Sequence, residues 1–332
     1  MPGLNLITDV PGILIGNAHD ETVISGVTAA LIERPNMASV ITRGGAPGTR
    51  DTTLLEPEMT VEGVDGIVLS GGSVYGLDAA GGVLQYLREN DRGLALGPLN
   101  VPIVPQAITF DLLNGGNKNW GRQPLYWELG LKAAEASKPG KFPLGTIGGG
   151  YGATTANLKG GLGSTSTITQ SGHTVGALVV VNAMGSTTVG EGPAFWSSPV
   201  EEAQEFGGHP WPNPIPKEAR ALQLKGARIP ATTIAIIATD ATLTKSEVKR
   251  LAHMADDGLA RAIRPAHAAM DGDTVFALAT QRRLITDRGF ELAELSLAAA
   301  DCLSRAIARG VYSATIPPGN YIGPPAFYQL HS

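Results

Sequence analysis

The sequence predicts a layered α/β sandwich for this chain of 332 residues. Three observations predict it. Short β-branched runs bounded by Gly, Pro or Asp alternate with stretches whose apolar residues recur at i, i+3 and i+4. Hydrophobic residues make up 43% and charged residues only 17%, enough apolar surface to bury a sizeable core. The 43 Gly and 23 Pro follow no G-X-Y period, so they read as tight turns and close backbone approaches inside a folded body, not as collagen or a disordered tract. The length accommodates one large domain or two modest ones.

Strands are expected at Gly12–Ile15, Val40–Thr42, Gly66–Leu69, Leu178–Asn182 and Thr233–Thr239. A helix is expected from near Tyr75 through Ala79, Val83 and Leu87. The clearest helical period runs from Lys245 to Ile263, with Val248, Leu251, Ala252, Met254, Ala255, Leu259 and Ile263 on its apolar face. Thr244 supplies its N-cap, and Glu247 three residues on completes a capping box. Another helix is expected over roughly Leu292 to Arg309. Between Pro193 and Pro230 lie seven prolines, which cannot pair in a central strand or continue a helix. This stretch is expected as a long exposed loop, ending at Ile229-Pro230-Ala231-Thr232 just before an apolar strand.

Several function classes are excluded by composition. The net charge is −5 with no run of Lys or Arg, so there is no footprint for nucleic acid or an anionic membrane. The longest apolar runs are far too short to cross a bilayer. The single cysteine, Cys302, cannot form an internal disulfide, and no secretory leader is expected at the N-terminus, so a cytoplasmic location is expected. The glycines from Gly145 to Gly163 are followed by more Gly, Thr and Ser without a helix, which fits neither a dinucleotide fingerprint nor a P-loop. His253 and His267, with Asp256 and Asp257 nearby, match no zinc motif and read as exposed or core histidines. No metal or cofactor is expected.

The pair Asp271-Gly272-Asp273 is more informative. If the segment is extended, side chains at i and i+2 share a face, so both carboxyl groups reach one place. Held that closely, at least one retains its proton at a raised pKa, or a cation is required. An ordinary D-G-D turn is the competing reading, as a plain strand threonine is for Thr232.

Taken together, several ordered motifs resemble one family over nearly the whole chain. They are Thr8-Asp9-Val10-Pro11-Gly12-Ile13, Arg43-Gly44-Gly45-Ala46-Pro47-Gly48-Thr49-Arg50-Asp51, Leu69-Ser70-Gly71-Gly72-Ser73, Gly148 to Gly163, and Thr232-Thr233-Ile234 followed by Asp271-Gly272-Asp273-Thr274. The sequence resembles the DmpA-type self-processing N-terminal-nucleophile hydrolases, which include aminopeptidases and the nylon-oligomer hydrolase NylC. The resemblance implies a four-layer α-β-β-α sandwich in one compact domain. It also implies a precursor cut between Ala231 and Thr232 into segments 1–231 and 232–332, both parts of one folded domain, with the processing loop at 193–231. Thr232 would be the nucleophile and its freed α-amine the base. Asp271 and Asp273 match an acidic pair of the NylC branch, Lys159 a lysine near the nucleophile, and Asn182 an oxyanion donor. Phe110 stands at one candidate position of a pocket tyrosine, and Ala231 replaces the usual Asn or Gly before the nucleophile. The implied substrate is a small amide, an amino-terminal peptide or a 6-aminohexanoate oligomer, and the implied assembly a homotetramer. Acyl transfer of the ornithine-acetyltransferase type, and an unprocessed binding protein, remain the competing readings.

Overall fold

In a computed structural model, residues 3–226 and 230–331 are described. The strands are β1 (Ile13–Asp20), β2 (Ser25–Thr42), β3 (Thr49–Arg50), β4 (Gly63–Ser70), the hairpin β5 (Leu94–Leu96) and β6 (Leu99–Val101), β7 (Gln106–Ile108), β8 (Gly161–Ile168), β9 (Thr174–Asn182), β10 (Thr232–Ala241) and β11 (Thr274–Arg283). The helices are α1 (Ala79–Glu89), α2 (Tyr126–Glu135), α3 (Lys245–Ala255), α4 (Asp257–Ala262), α5 (Arg288–Tyr312) and the short α6 (Phe327–Leu330).

The 18-residue β2 organises the sheet. Its first half pairs with β1 and β4, its last residues with β11, and the register shifts between Leu31 and Asn36. The ladder β3-β7-β4-β2-β11-β10-β9-β8 therefore divides at β2 into two leaves. Side-chain alternation shows how they stack. Leu178, Val180, Ile234, Ile236 and Phe276 of one leaf share a core with Ile13, Ile15, Ile32, Ile67 and Leu69 of the other. The intervening residues point outward. Val27, Ala29, Leu31 and Val68 are covered by α1 and α2, while Val179, Val181, Ala235, Ile237 and Val275 are covered by α3, α4 and α5. The result is a layered α/β sandwich, as the sequence pattern predicts, in the α-β-β-α form that the resemblance implies. Among the described residues no helix is long and apolar enough to cross a membrane.

Three local differences from the sequence reading have physical causes. The period from Lys245 to Ile263 is two helices, α3 and α4, interrupted at Asp256. There the chain turns so that Gly258 lies against α5, where a Cβ would stand 2.4 Å from the Ala300 oxygen. The Thr244–Glu247 capping box is present. The glycine-rich run after Lys159 becomes β8, a strand whose first half, Gly161-Leu162-Gly163-Ser164, lacks the β-branched residues that reveal one in sequence. Its glycines let α5 press onto the backbone: a Cβ at Gly163 would stand 1.9 Å from the Ala306 oxygen. The proline-rich stretch is not simply an exposed loop. Phe195 and Phe206 are buried, and Phe195 stacks on Phe327, so the stretch is anchored to the core that α5 covers. Its residues 227–229 lie outside the described residues.

Gly163→Val forces α5 away from β8 and is expected to lower unfolding free energy by about 2–3 kcal/mol. Guanidinium unfolding should show a lower midpoint at unchanged m; an unchanged midpoint would contradict the close packing.

Candidate active site

Strand alternation fixes the first two residues of the site. Antiparallel pairing of β9 with β10 sets Thr232 opposite Asn182 and Ile234 opposite Val180. Since Ile234 and Val180 face the core between the two leaves, Thr232 and Asn182, one pleat further out, face the same layer at its rim. Both are buried. The residue before Thr232 is held by backbone alone. Ala231 bridges Asp271 in parallel: its N–H donates to the Met270 carbonyl at 3.3 Å, and the Gly272 N–H donates to the Ala231 oxygen at 3.0 Å. The Thr232 hydroxyl donates to that same oxygen at 2.5 Å. The hydroxyl thus lies against the carbonyl of the peptide bond preceding it, and an N–H is already aimed at that carbonyl oxygen.

The two aspartates are brought together beside this bond. Asp273 accepts from the Thr233 N–H at 2.8 Å and the His267 N–H at 2.9 Å. Asp271 accepts from the Met184 N–H at 3.2 Å and the Ala268 N–H at 3.1 Å. The Arg43–Ala46 run clamps the pair from outside, with Arg43 N–H donating to the Asp273 carbonyl and Ala46 N–H to that of Asp271. Gly44 is required there, because a Cβ would stand 2.3 Å from the Asp273 nitrogen. Burial, then the negative charge of Asp273, pushes Asp271 up to about 7; the hydrogen bonds it accepts and the charge of His267 oppose them. Asp271 therefore exchanges its proton near neutral pH.

His267 is the cation of this cluster, a role that the sequence reading did not give it. Its Nδ1 is 3.0 Å from Asp273 and its Nε2 3.4 Å from Asp256, which also lies 3.5 Å from Arg43. Burial disfavours its charge, but Asp256 and Asp273 outweigh burial and push the ring up to about 10. The only signal in the sequence is its position a few residues before Asp271. Lys159, by contrast, is not paired with either aspartate. Its Nζ is fully buried and donates to the carbonyls of Gly150, Ala153 and Gly160 at 3.2, 2.8 and 2.9 Å, and burial pushes it down to about 7.

Asn182 is held on both sides of its amide. Its Nδ2 donates to the Phe110 carbonyl at 3.1 Å, while its Oδ1 accepts from the Thr154 N–H at 3.1 Å and from Lys225 Nζ at 2.7 Å. Lys225 comes from the proline-rich stretch and had no signal in the sequence. Phe110, Asp111, Thr154 and Lys225 line a cavity of about 280 Å³ with Leu113 and Ile322 on its apolar wall.

A family model, Peptidase family S58, matches residues 5–321. The chain belongs to peptidase family S58. As an S58 member it is a hydrolase of peptide or amide bonds. An uncharacterized aminopeptidase of Mycobacterium leprae (strain TN) is 40% identical over 94% of this chain and 91% of its own length. A 6-aminohexanoate-oligomer endohydrolase of Kocuria sp. (strain KY2) is more distant, 29% identical over 82% of this chain and 74% of its own length. Among solved structures, the L-aminopeptidase D-Ala-esterase/amidase of Ochrobactrum anthropi, described as a variant of the Ntn hydrolase fold, superposes with a TM-score of 0.73 at 21% identity. That match covers 99% of this S58 chain and 93% of the other. A Burkholderia sp. beta-aminopeptidase has a TM-score of 0.69 at 22% identity, covering 99% and 93%. At these identities the two structures establish the shared fold.

Because His267 is raised from 6.5 to about 10 on folding, its stabilising contribution is complete below about pH 6.5 and is lost as pH rises through 10, with a slope of up to about 1.4 kcal/mol per pH unit. Urea unfolding of His267→Gln between pH 6.5 and 10 should show a flatter decline than the unsubstituted enzyme. Equal slopes would contradict the pairing.

Proposed function

We propose that this S58 hydrolase is a self-processing N-terminal threonine amidase that cuts its own Ala231–Thr232 bond and then works with Thr232 as nucleophile. One observation carries the reading: the Thr232 hydroxyl and the Gly272 N–H converge on the Ala231 carbonyl oxygen at 2.5 and 3.0 Å. In the self-cutting step Thr232 Oγ1 bonds to the carbonyl carbon of Ala231 and the C–N bond breaks, the hydroxyl proton passing to the departing Thr232 nitrogen, which leaves an ester and a free α-amine. Negative charge passing through the carbonyl oxygen is met by the Gly272 N–H. Water then opens the ester, giving a carboxylate on Ala231 and restoring the Thr232 hydroxyl beside its free α-amine. The absence of an Asn side chain at 231 does not disable this arrangement, because the bond is oriented by backbone hydrogen bonds.

On substrate the same groups act a second time. The α-amine takes the hydroxyl proton as Thr232 Oγ1 attacks the amide carbonyl, an acyl-enzyme forms, and the departing amine takes the proton. An unperturbed α-amine titrates near 8, close to a working pH. Asn182 Nδ2 stabilises the oxyanion, and Asp273 orients the first turn of β10 through the Thr233 N–H. Asp271, exchanging its proton near 7, adjusts the charge beside the amine. Lys159 acts from the scaffold, since the carbonyls it gathers belong to the run that presents Thr154 to Asn182. The cavity of about 280 Å³, with Phe110 and Leu113 in its wall, supports short substrates with an apolar stem: amino-terminal peptides, small amides and linear 6-aminohexanoate oligomers. The reading also takes the enzyme as cytoplasmic and assembled as a homotetramer. Cys302, buried with its thiol pushed up to about 12, is suited to a reducing compartment.

Purified protein on a denaturing gel should resolve into segments 1–231 and 232–332, with N-terminal sequencing of the smaller beginning at Thr232. Thr232→Ala should remain whole and lose amidase activity by at least about a thousandfold, the scale of removing a covalent nucleophile. Hydrolysis persisting in Thr232→Ala would move the reaction elsewhere.

A further inference from the structure

Asn182 is useful to an oxyanion only if its amide presents nitrogen, not oxygen, to the reacting group. The two flips of an amide are nearly isosteric, so what fixes one of them is the donor and acceptor pattern around it. Here the oxygen side is pinned by two donors, the Thr154 N–H at 3.1 Å and Lys225 Nζ at 2.7 Å. Flipping the amide would set its NH₂ against both. Lys225 Nζ also donates to the Thr154 carbonyl at 3.1 Å, which closes a ring of Lys225, Thr154 and Asn182. The Lys225 N–H donates to the Met184 carbonyl at 2.8 Å, and Met184 holds Asp271 through its own N–H. Lys225 is buried and has no carboxylate in ion-pair range among the described residues. Burying a long cation without a counter-charge is costly, and burial pushes it down to about 7. Its ammonium is spent on neutral oxygens that belong to the site.

We propose that Lys225 is a positioning residue that locks the Asn182 amide with Nδ2 toward the substrate's developing oxyanion. This rests on the Thr232 reading above. It gives the proline-rich stretch a second role: besides leading to the cut bond, it delivers the group that sets the oxyanion donor. Self-cleavage uses a different donor, the Gly272 N–H, so the two reactions separate the role of Lys225 from a general effect on folding.

The experiment compares Lys225→Met, Lys225→Arg, Asn182→Ala and the Lys225→Met/Asn182→Ala double variant on a panel of aminoacyl p-nitroanilides, with self-cleavage followed on gels. Lys225→Met should process at a rate within about threefold of normal, lose about 30- to 100-fold in kcat, and keep KM within about threefold, the scale of a displaced transition-state donor. Lys225→Arg should recover part of the loss. In the double variant, kcat should equal that of Asn182→Ala, because a residue acting through Asn182 has nothing further to lose. Additive losses, a raised KM at constant kcat, blocked self-cleavage, or a kcat within twofold of normal would each overturn the proposal. If Lys225→Met does not accumulate as folded protein, Lys225→Gln carries the same comparisons. Thr232→Ala separates the two readings: activity retained there defeats the nucleophile assignment, whereas loss there with full activity in Lys225→Met defeats only the role of Lys225.

Discussion

The hydrogen bond from the Gly272 N–H to the Ala231 carbonyl is the contact on which the site depends. It exists because β10 is inserted between β9 and β11, so the residue before β10 must run alongside the residues before β11. That parallel bridge brings Asp271 and Asp273 to the entrance of β10, while the antiparallel pairing on the other side brings Asn182. One strand position thus receives an acidic pair from one neighbour and an amide from the other. Segments 1–231 and 232–332 are interleaved in the same sheet, since β10 and β11 lie between β2 and β9. A cut at 231 would leave every one of these ladder bonds in place. The arrangement is assembled by the register of three strands.

Electrostatics then decides what each carboxyl group can do. Asp256, Asp271 and Asp273 are buried, and the cations beside them, the exposed Arg43 and the half-buried His267, stand against Asp256 and Asp273. Asp271 has backbone N–H donors but no cation in ion-pair contact among the described residues, and burial, then the charge of Asp273, pushes it up to about 7. His267, touching two carboxylates, is pushed the other way in function: it stays charged well above its ordinary range. The division of labour between the two aspartates therefore follows from where the histidine stands.

Much of this was legible in the sequence, and what was not has identifiable causes. The α/β layering followed from alternating β-branched and helical periods, and β9 and β10 were legible because they are rich in Val and Ile on both faces. The spacing of Asp271 and Asp273 left an ordinary D-G-D turn and a compensating cation open beside a shared proton; the bridge from Asp271 to Ala231, which spacing does not encode, is what brings the pair to β10. β8 escaped because its glycines exist for the benefit of α5, a contact far away in sequence. The break at Asp256 escaped because helical periodicity continues through it. The resemblance implies a lysine near the nucleophile at Lys159, but the cation beside the acidic pair is His267; a charge partner is a matter of tertiary distance, which residue spacing does not encode. Lys225 lay in a stretch whose prolines announce loop and nothing about what one lysine in it will reach.

The glycines and prolines that make up so much of the chain serve opposite ends. Gly44, Gly163 and Gly272 are places where backbone touches backbone and any Cβ would intrude: at Gly272 it would stand 2.8 Å from the Thr232 hydroxyl and 2.7 Å from the Ala46 oxygen. A side chain there would displace the hydroxyl or the N–H that meets the Ala231 oxygen. The prolines do the reverse: from 193 to 226 the chain forms only two 3-10 turns, Ser198–Val200 and Glu218–Arg220, and no strand or α-helix. Phe195, Phe206 and Lys225 nevertheless anchor that irregular stretch at defined points. The bond at 231 is held by two donors on one oxygen. A peptide bond in that position is open to the Thr232 hydroxyl from within the protein while it is buried from solvent, and the proposed cut at Ala231–Thr232 rests on that combination more than on any single residue.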